Sequence, residues 1–141
     1  MIREANIKDI AAINQLGGLL KKNFSNLYDF NKILDEDHSK VYVVEVDTEI
    51  IGFLHTTILY ENIDIENIVI NPKYQKNGYA TLLMDYMLSE VDENIEFITL
   101  EVRVDNNAAL TLYENFGFEI INKRVGYYEG KDAYLMGKKV R

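Results

Sequence analysis

The sequence contains no cysteine and only one proline. A chain without cysteine forms no disulfide bond and offers neither a thiolate metal ligand nor a cysteine nucleophile. No apolar run approaches the ~20 residues of a membrane-spanning helix, and the first residues, Met1–Ala5, lack the apolar core of a secretory signal. These absences predict a cytoplasmic protein with no membrane partner.

Basic side chains are in the minority, at 15 Lys and Arg against 23 Asp and Glu, which gives a net charge of -8. A nucleic-acid-binding protein would normally present a concentrated basic patch, so no nucleic-acid partner is expected. No cluster of His or carboxylate residues has metal-ligand spacing, and no metal site is predicted. The 141 residues, 48% hydrophobic and 27% charged, fit one globular domain covering residues 1–141.

The stretch from Ile65 to Met87 has the pattern of a strand, a loop and a helix. The apolar run Ile65–Ile70 predicts a buried strand, and Asn71-Pro72 ends it because proline has no N–H to give to a sheet. Apolar residues recur at helical spacing from Leu82 onward. The polar loop between the strand and the helix therefore lies at a helix start.

A helix start of this kind can bind an anion. Its first backbone N–H groups have no partner within the helix, and the positive end of the helix dipole points the same way. Gly78 lets a bound group approach the backbone, and Ala80 adds almost no bulk. The loop therefore predicts a pyrophosphate site, with an ordinary strand-to-helix turn as the alternative.

The rest of the chain alternates between strand and helix patterns. Apolar runs predict further strands at Met1–Ala5, Val41–Val46, Ile50–Leu59, Ile63–Ile70, Ile95–Val104, Phe118–Val125 and Ala133–Val140. Helices are predicted to open at Asn6, to run between Phe24 and Leu34 with Leu27 and Phe30 on its apolar stripe, and to follow the capping residue Asn106. The order β-α-α-β-β-β-α-β-α-β-β is that of a single mixed α/β (α+β) domain.

Two segments resemble one family, the GCN5-related N-acetyltransferases (GNAT). The family's acetyl-CoA-binding motif is similar to residues 72–80, Pro-Lys-Tyr-Gln-Lys-Asn-Gly-Tyr-Ala, and its second signature is similar to residues 106–118. Their spacing and the order of elements also match, so the likeness covers essentially the whole chain. It implies a mostly antiparallel sheet flanked by helices. The C-terminal half most resembles the bacterial RimI branch, which acetylates the N-terminus of a small-subunit ribosomal protein.

The resemblance implies an acetyl-CoA site built largely from backbone. The pantetheine arm would pair with the strand residues Ile68, Val69 and Ile70. The pyrophosphate would be held by the loop and helix start, namely Gln75, Lys76, Asn77, Gly78, Tyr79, Ala80 and Thr81. Asn106 caps its own helix and is a further candidate for contact with the cofactor. Lys73 and Lys76 could add charge near the phosphates or could simply be solvated.

The resemblance also implies two catalytic side chains. Glu101 is the predicted general base for the acceptor amine, with Asp64 and Glu66 on the earlier strand as rivals and an ion pair with Arg103 as the structural alternative. Tyr113 is the predicted general acid for the leaving thiolate, and a core aromatic residue is its alternative.

Tyr127 and Tyr128 are predicted to flank the acceptor groove, or else to pack across a hairpin. The predicted function is acetyl-CoA-dependent acetylation of a protein N-terminus by direct transfer, with a ribosomal protein as the candidate acceptor. The alternatives are a small amine or a lysine side chain as acceptor, or a non-catalytic acyl-CoA-binding module.

Overall fold

The computed structural model describes residues 1–128 and 130–140, with the backbone alone for Tyr127 and Tyr128. The strands are β1 (Ile2–Glu4), β2 (Ser39–Val46), β3 (Glu49–Leu59), β4 (Asn62–Ile70), β5 (Phe97–Arg103), β6 (Glu119–Tyr128) and β7 (Lys131–Lys139). The helices are α1 (Ile10–Gly17), α2 (Phe24–Leu27), α3 (Phe30–Ile33), α4 (Tyr79–Ser89) and α5 (Asn107–Asn115), with 3₁₀ turns at Ile7–Asp9 and Pro72–Tyr74. The predicted order of elements is confirmed except between β1 and β2, where two short helices, α2 and α3, occupy the place of one predicted helix.

The strands form a seven-stranded sheet in the order β1-β2-β3-β4-β5-β7-β6. Antiparallel pairing joins β1 to β2, β2 to β3, β5 to β7 and β6 to β7. Strand β4 pairs with β5 in parallel, in a register that runs from Asn62 opposite Phe97 to Ile65 opposite Leu100. The sheet is therefore mixed and mostly antiparallel, as predicted.

The described residues group into two compact units. The first contains Met1–Thr57 and Glu66–Val91. The first helical segment opens at Asn6 as predicted, because the side chains of Asn6 and Asp9 form a reciprocal capping box at the start of its first turn. Asp47 and Thr48, both at positive φ, make the tight turn that joins β2 to β3.

The predicted helix between Phe24 and Leu34 is wrong in one respect, because the structure has two short helices there. Tyr28, which ends α2, has extended backbone angles. The ring of Phe24 stacks on Phe30 at 5.8 Å and meets Phe53 edge-on at 5.9 Å. Leu27, predicted to lie on the apolar stripe, is exposed. Burying three aromatic rings in one cluster requires the chain to bend, which one straight helix would prevent.

The second unit contains Ile58–Ile65 and the part of the chain that begins at Asp92. Strand β5 buries one face and leaves the other half-buried, because its residues alternate strictly. Helix α5 buries Tyr113 against Phe118. Strands β6 and β7 extend further than predicted, and the predicted loop Gly126–Asp132 is mostly strand.

Candidate active site

The end of β4, where backbone contacts to a pantetheine arm are predicted, is tightly supported by β3. Ile68 and Ile70 are half-buried and Val69 is buried. A Cβ atom on Gly52 would lie 2.6 Å from Ile70 Cδ1 and 3.0 Å from the Val69 carbonyl oxygen. A side chain at position 52 would therefore require Ile70 and the backbone at Val69 to shift. The sequence reasoning missed this residue, because one glycine within an apolar strand is a weak signal.

Side chains hold the loop after β4 from within. Asn71 Oδ1 accepts a hydrogen bond of 3.0 Å from the backbone N–H two residues later. Gln75 Nε2 donates to the Ile70 carbonyl at 3.1 Å. Asn77 Nδ2 donates to the carbonyls of Tyr74 and Gln75 at 3.2 and 3.3 Å. The polar side chains of the predicted motif thus fix the loop conformation, which leaves ligand contacts to the backbone.

The backbone N–H groups of residues 76–81 make up the predicted anion site. Within the part of the chain that the structure describes, none of these six groups donates to a protein acceptor, whereas the Leu82 N–H donates to the Gly78 carbonyl at 3.0 Å. The N–H of Gln75, also predicted to bind pyrophosphate, closes the preceding turn. Lys76 and Gly78 both have positive φ, 65° and 83°, and alternation of this kind turns successive N–H groups toward one concave side.

The charged side chains within this loop are positive, while Glu49 at the start of β3 accepts a hydrogen bond from Tyr74 Oη at 3.4 Å. Lys73 and Lys76 are exposed, and no Asp or Glu occurs between Asn71 and Met84. The loop is anchored at its base by the ring of Tyr74, which packs edge-on against Tyr79 at 6.2 Å. The helix dipole of α4, its unbonded N–H groups and two lysines therefore act together on any bound anion.

Glu101, the predicted base, lies on the half-buried face of β5 in the second unit. Its Oε1 lies 3.3 Å from Arg124 Nε. Its Oε2 is buried and has no hydrogen-bond partner among the described residues. Burial raises the pKa of Glu101, the Arg124 charge opposes this rise, and the Asp64 carboxylate adds to it. An oxygen without a donor on a carboxylate of raised pKa is chemically suited to accept a proton.

The rival carboxylates already accept hydrogen bonds. Asp64 Oδ1 accepts from Thr99 Oγ1 at 2.8 Å, and Glu66 Oε2 accepts from Thr57 Oγ1 at 2.9 Å. Each rival therefore has one oxygen already engaged by a hydroxyl donor, whereas Glu101 Oε2 has no donor among the described residues. The contacts favour Glu101 over both rivals.

Arg103 does not provide the ion pair considered for Glu101, although residues two apart on a strand share a face. Its Nε and NH2 donate to the two carboxylate oxygens of Asp105, at 3.0 and 2.7 Å. The ion pair of Glu101 is made by Arg124 on β6. This partner could not be predicted from the sequence, because Arg124 is far from Glu101 in the chain and only the order of the strands brings β6 near β5.

Helix α5 and its cap position two further predicted site residues, Asn106 and Tyr113. Asn106 caps it, with Oδ1 accepting from the Ala109 N–H at 3.2 Å, as predicted. Tyr113 is 5% exposed, and its ring meets Phe118 edge-on at 5.9 Å. The ring of Tyr113 thus has the packing of a core residue, while the acid role of its hydroxyl stays a prediction. The side chains of Tyr127 and Tyr128 lie outside the described residues, so their predicted contact with the acceptor also stays a prediction.

The Acetyltransferase (GNAT) family model matches residues 8–118, which is more than half of the chain and includes both the loop after β4 and helix α5. The chain belongs to the GNAT acetyltransferase family. It is therefore an acetyltransferase, and its fold class is the one that the sequence predicted.

Relatives within the GNAT family include N-terminal acetyltransferases. An N-alpha-acetyltransferase of Saccharolobus solfataricus is 31% identical, over 97% of this chain and 91% of that protein. The [Ribosomal protein bS18]-alanine N-acetyltransferase of Escherichia coli is 31% identical over 58% of this chain and 56% of its own length. The solved structure of Ard1 from Thermoplasma volcanium has a TM-score of 0.86 at 26% identity, covering 100% of this chain and 97% of that one. These relatives support N-acetyltransferase activity for this chain.

The same fold also serves other acceptors. A spermidine N-acetyltransferase from Vibrio cholerae, solved as a chimera, has a TM-score of 0.84 at 24% identity, over 99% of this chain and 96% of that one. This likeness concerns the fold alone. None of the helices in the described ranges is long and apolar enough to cross a membrane, and the same residues hold no group of three or more side chains arranged to bind a metal ion.

Proposed function

We propose that this GNAT enzyme transfers the acetyl group of acetyl-CoA to the α-amine at the N-terminus of a protein, with a ribosomal protein as one candidate acceptor. The observation that carries the cofactor assignment is the run of six backbone N–H groups, residues 76–81, that donate to no acceptor within the described chain. Hydrogen bonds to a charged partner contribute about 1.5–3 kcal/mol each. A few such bonds to a pyrophosphate offset the ordering of a flexible cofactor.

The proposed transfer is direct. Glu101 Oε2 takes a proton from the acceptor ammonium, and the neutral nitrogen attacks the thioester carbonyl, so that a C–N bond forms and the C–S bond breaks. Tyr113 gives its hydroxyl proton to the departing thiolate, the second proton of the acetylated nitrogen restores the Tyr113 hydroxyl, and Glu101 releases its proton to solvent. The backbone of Ile68–Ile70 would hold the pantetheine arm in the manner of an added strand, and Asn106 is a further candidate for contact with it.

The basicity of the acceptor favours an α-amine. An α-amine with a pKa near 8 needs about 1.4 kcal/mol to be neutral at pH 7, whereas a lysine near 10.4 needs about 4.6 kcal/mol. Glu101 is a single carboxylate whose pKa is raised by burial, and it is better matched to the smaller requirement. The names of the relatives support the same acceptor class.

The first experiment is mass spectrometry of an acceptor panel incubated with the protein and acetyl-CoA. The panel contains a basic peptide that starts with alanine, the same peptide with a blocked N-terminus and internal lysines, and spermidine. We expect a single acetyl group on the free N-terminus of the first peptide and none on the others. A Glu101→Gln variant with the same fold and cofactor affinity should lose about 10²–10⁴-fold in turnover.

The other outcomes separate the alternatives. Product only on spermidine or only on lysine would overturn the N-terminal assignment while leaving the acetyl-CoA site intact. No binding of acetyl-CoA at millimolar concentration would overturn the assignment of residues 76–81. Binding without product on any acceptor would leave a non-catalytic acyl-CoA-binding module as the better explanation.

A further inference from the structure

Arg124 reaches Glu101 from a strand that is not its neighbour. The sheet order places β7 between β5 and β6, with Leu135 of β7 opposite Glu101 and Ala133 opposite Arg124. The guanidinium nevertheless lies with Nε 3.3 Å from Glu101 Oε1. Arg124 is 44% exposed and Glu101 22% exposed at the side chain, so the pair sits at the boundary between solvent and the sheet face.

The backbone beside Arg124 is held on both sides. Strand β6 has an irregularity after Arg124, in its register with β7. There the N–H of Gly126 donates to Asp132 Oδ1 at 2.9 Å. The other oxygen of Asp132 lies 3.4 Å from Lys123 Nζ. Asp132 thus fixes the strand segment that presents Arg124.

The charged side chains that act on Glu101 come from strands on either side of β5 in the sheet. Asp64 of β4 is the negative one, and Arg124 of β6 is the positive one. Arg103, on the same face of β5, is paired with Asp105. Because one oxygen of Glu101 is held by Arg124 and the other is buried without a donor, the carboxylate presents one defined oxygen for proton transfer.

We infer that Arg124 is a positioning residue for the acetyl transfer, which holds Glu101 Oε1 so that Oε2 is the oxygen left to take the proton of the acceptor amine. This inference rests on the proposed role of Glu101 as the base. The two flanking groups act in opposite directions: the Arg124 charge lowers the pKa of Glu101, and the Asp64 charge raises it.

The test measures the titration of Glu101 directly. Protein labelled with ¹³C at the glutamate carboxyl carbons is titrated by NMR, and the Glu101 signal is assigned as the one missing in Glu101→Gln. Relative to the unmodified protein, we expect the titration to move to higher pH in Arg124→Met and to lower pH in Asp64→Asn. Arg124→Lys should restore most of the original value. Lys139→Met removes an exposed positive charge at the far end of β7, opposite Phe97, and should leave the titration unchanged.

The kinetic experiment measures kcat/KM for the alanine-starting peptide against pH, divided by the fraction of protonated amine, which is the form from which Glu101 takes its proton. The acidic limb of each variant should move with its NMR titration, and Arg124→Met should lower kcat more than it changes KM. An identical Glu101 titration in Arg124→Met and the unmodified protein would overturn the inference, as would a shifted titration with an unchanged kcat profile. Shifted titrations in a protein that acetylates no acceptor would instead refute the proposed function, and leave Arg124 as the group that tunes this carboxylate.

Discussion

His55 should make the folded protein less stable as the pH falls from 6.5 to about 4. It lies on β3 and is 2% exposed. Its ring meets those of Tyr28 and Phe30 at centroid distances of 5.8 and 5.3 Å. Neither ring nitrogen has a hydrogen-bond partner among the described residues. Burial lowers the pKa of His55 from 6.5 to about 4, although the charge of Glu36 opposes this.

The direction and the magnitude of this change in the free energy of unfolding follow from proton linkage. Between pH 6.5 and about 4 the unfolded chain binds a proton at His55 and the folded chain does not, so the free energy of unfolding falls as pH falls. A difference of 2.5 pKa units (6.5 − 4) corresponds to about 3 kcal/mol. Glu101 acts in the opposite direction, because its raised pKa stabilises the folded state as it takes up a proton. Carboxyl groups whose pKa is lowered in the folded state, such as Asp132 beside the Gly126 N–H, lose their stabilising effect only when the pH falls below their pKa in the unfolded chain.

The assay is urea unfolding between pH 7 and pH 4, in a Glu101→Gln background that removes the opposing titration. The free energy of unfolding should fall by about 3 kcal/mol over this range, or by ~10 °C in melting temperature for a chain of this size. In His55→Phe, whose ring fits among the aromatic neighbours, the decrease should nearly vanish. His38→Gln removes the exposed histidine beside Glu36 and should keep the slope. The same slope in His55→Phe as in the parent would refute the reasoning, whatever the stability of that variant at pH 7.

Three further predictions concern the candidate site. Acetyl-CoA at ~100 times its dissociation constant should stabilise the fold by about 2.7 kcal/mol, and a melting curve that does not move at millimolar cofactor would contradict the anion site. Tyr113→Phe should keep acetyl-CoA affinity, measured by calorimetry, and lose most of its turnover; full turnover would return Tyr113 to a purely structural role. Gly52→Ala should destabilise the fold by about 1–3 kcal/mol, because the new Cβ meets Ile70 and the Val69 carbonyl. It should also weaken acetyl-CoA binding, whereas stability and affinity equal to those of the parent would show that β4 has room to move.

The sequence was sufficient for features that depend on local chemistry. The cap at Asn6 and the cap at Asn106 each need one short polar side chain before a helical run, and both are present in the structure. The loop after β4 was predictable for the same reason, since proline ends the strand and Gly78 supplies a positive φ at the helix start. Its hydrogen bonds join residues no more than five apart. The conformation of this loop is therefore set by its own residues, which is why a short stretch of sequence was enough to predict it.

Only the tertiary structure showed which distant residues share an environment. The break between α2 and α3 follows from packing Phe24 against Phe53, and the small size required at Gly52 follows from the approach of β4. Arg124 and Glu101 are far apart in the chain and meet across an intervening strand. Sequence periodicity assigns a residue to a face of its own element, but it carries no information about which other strand lies alongside. The pKa of Glu101 is raised first by burial and is then adjusted by charges on two such strands, and both effects depend on the order of the sheet.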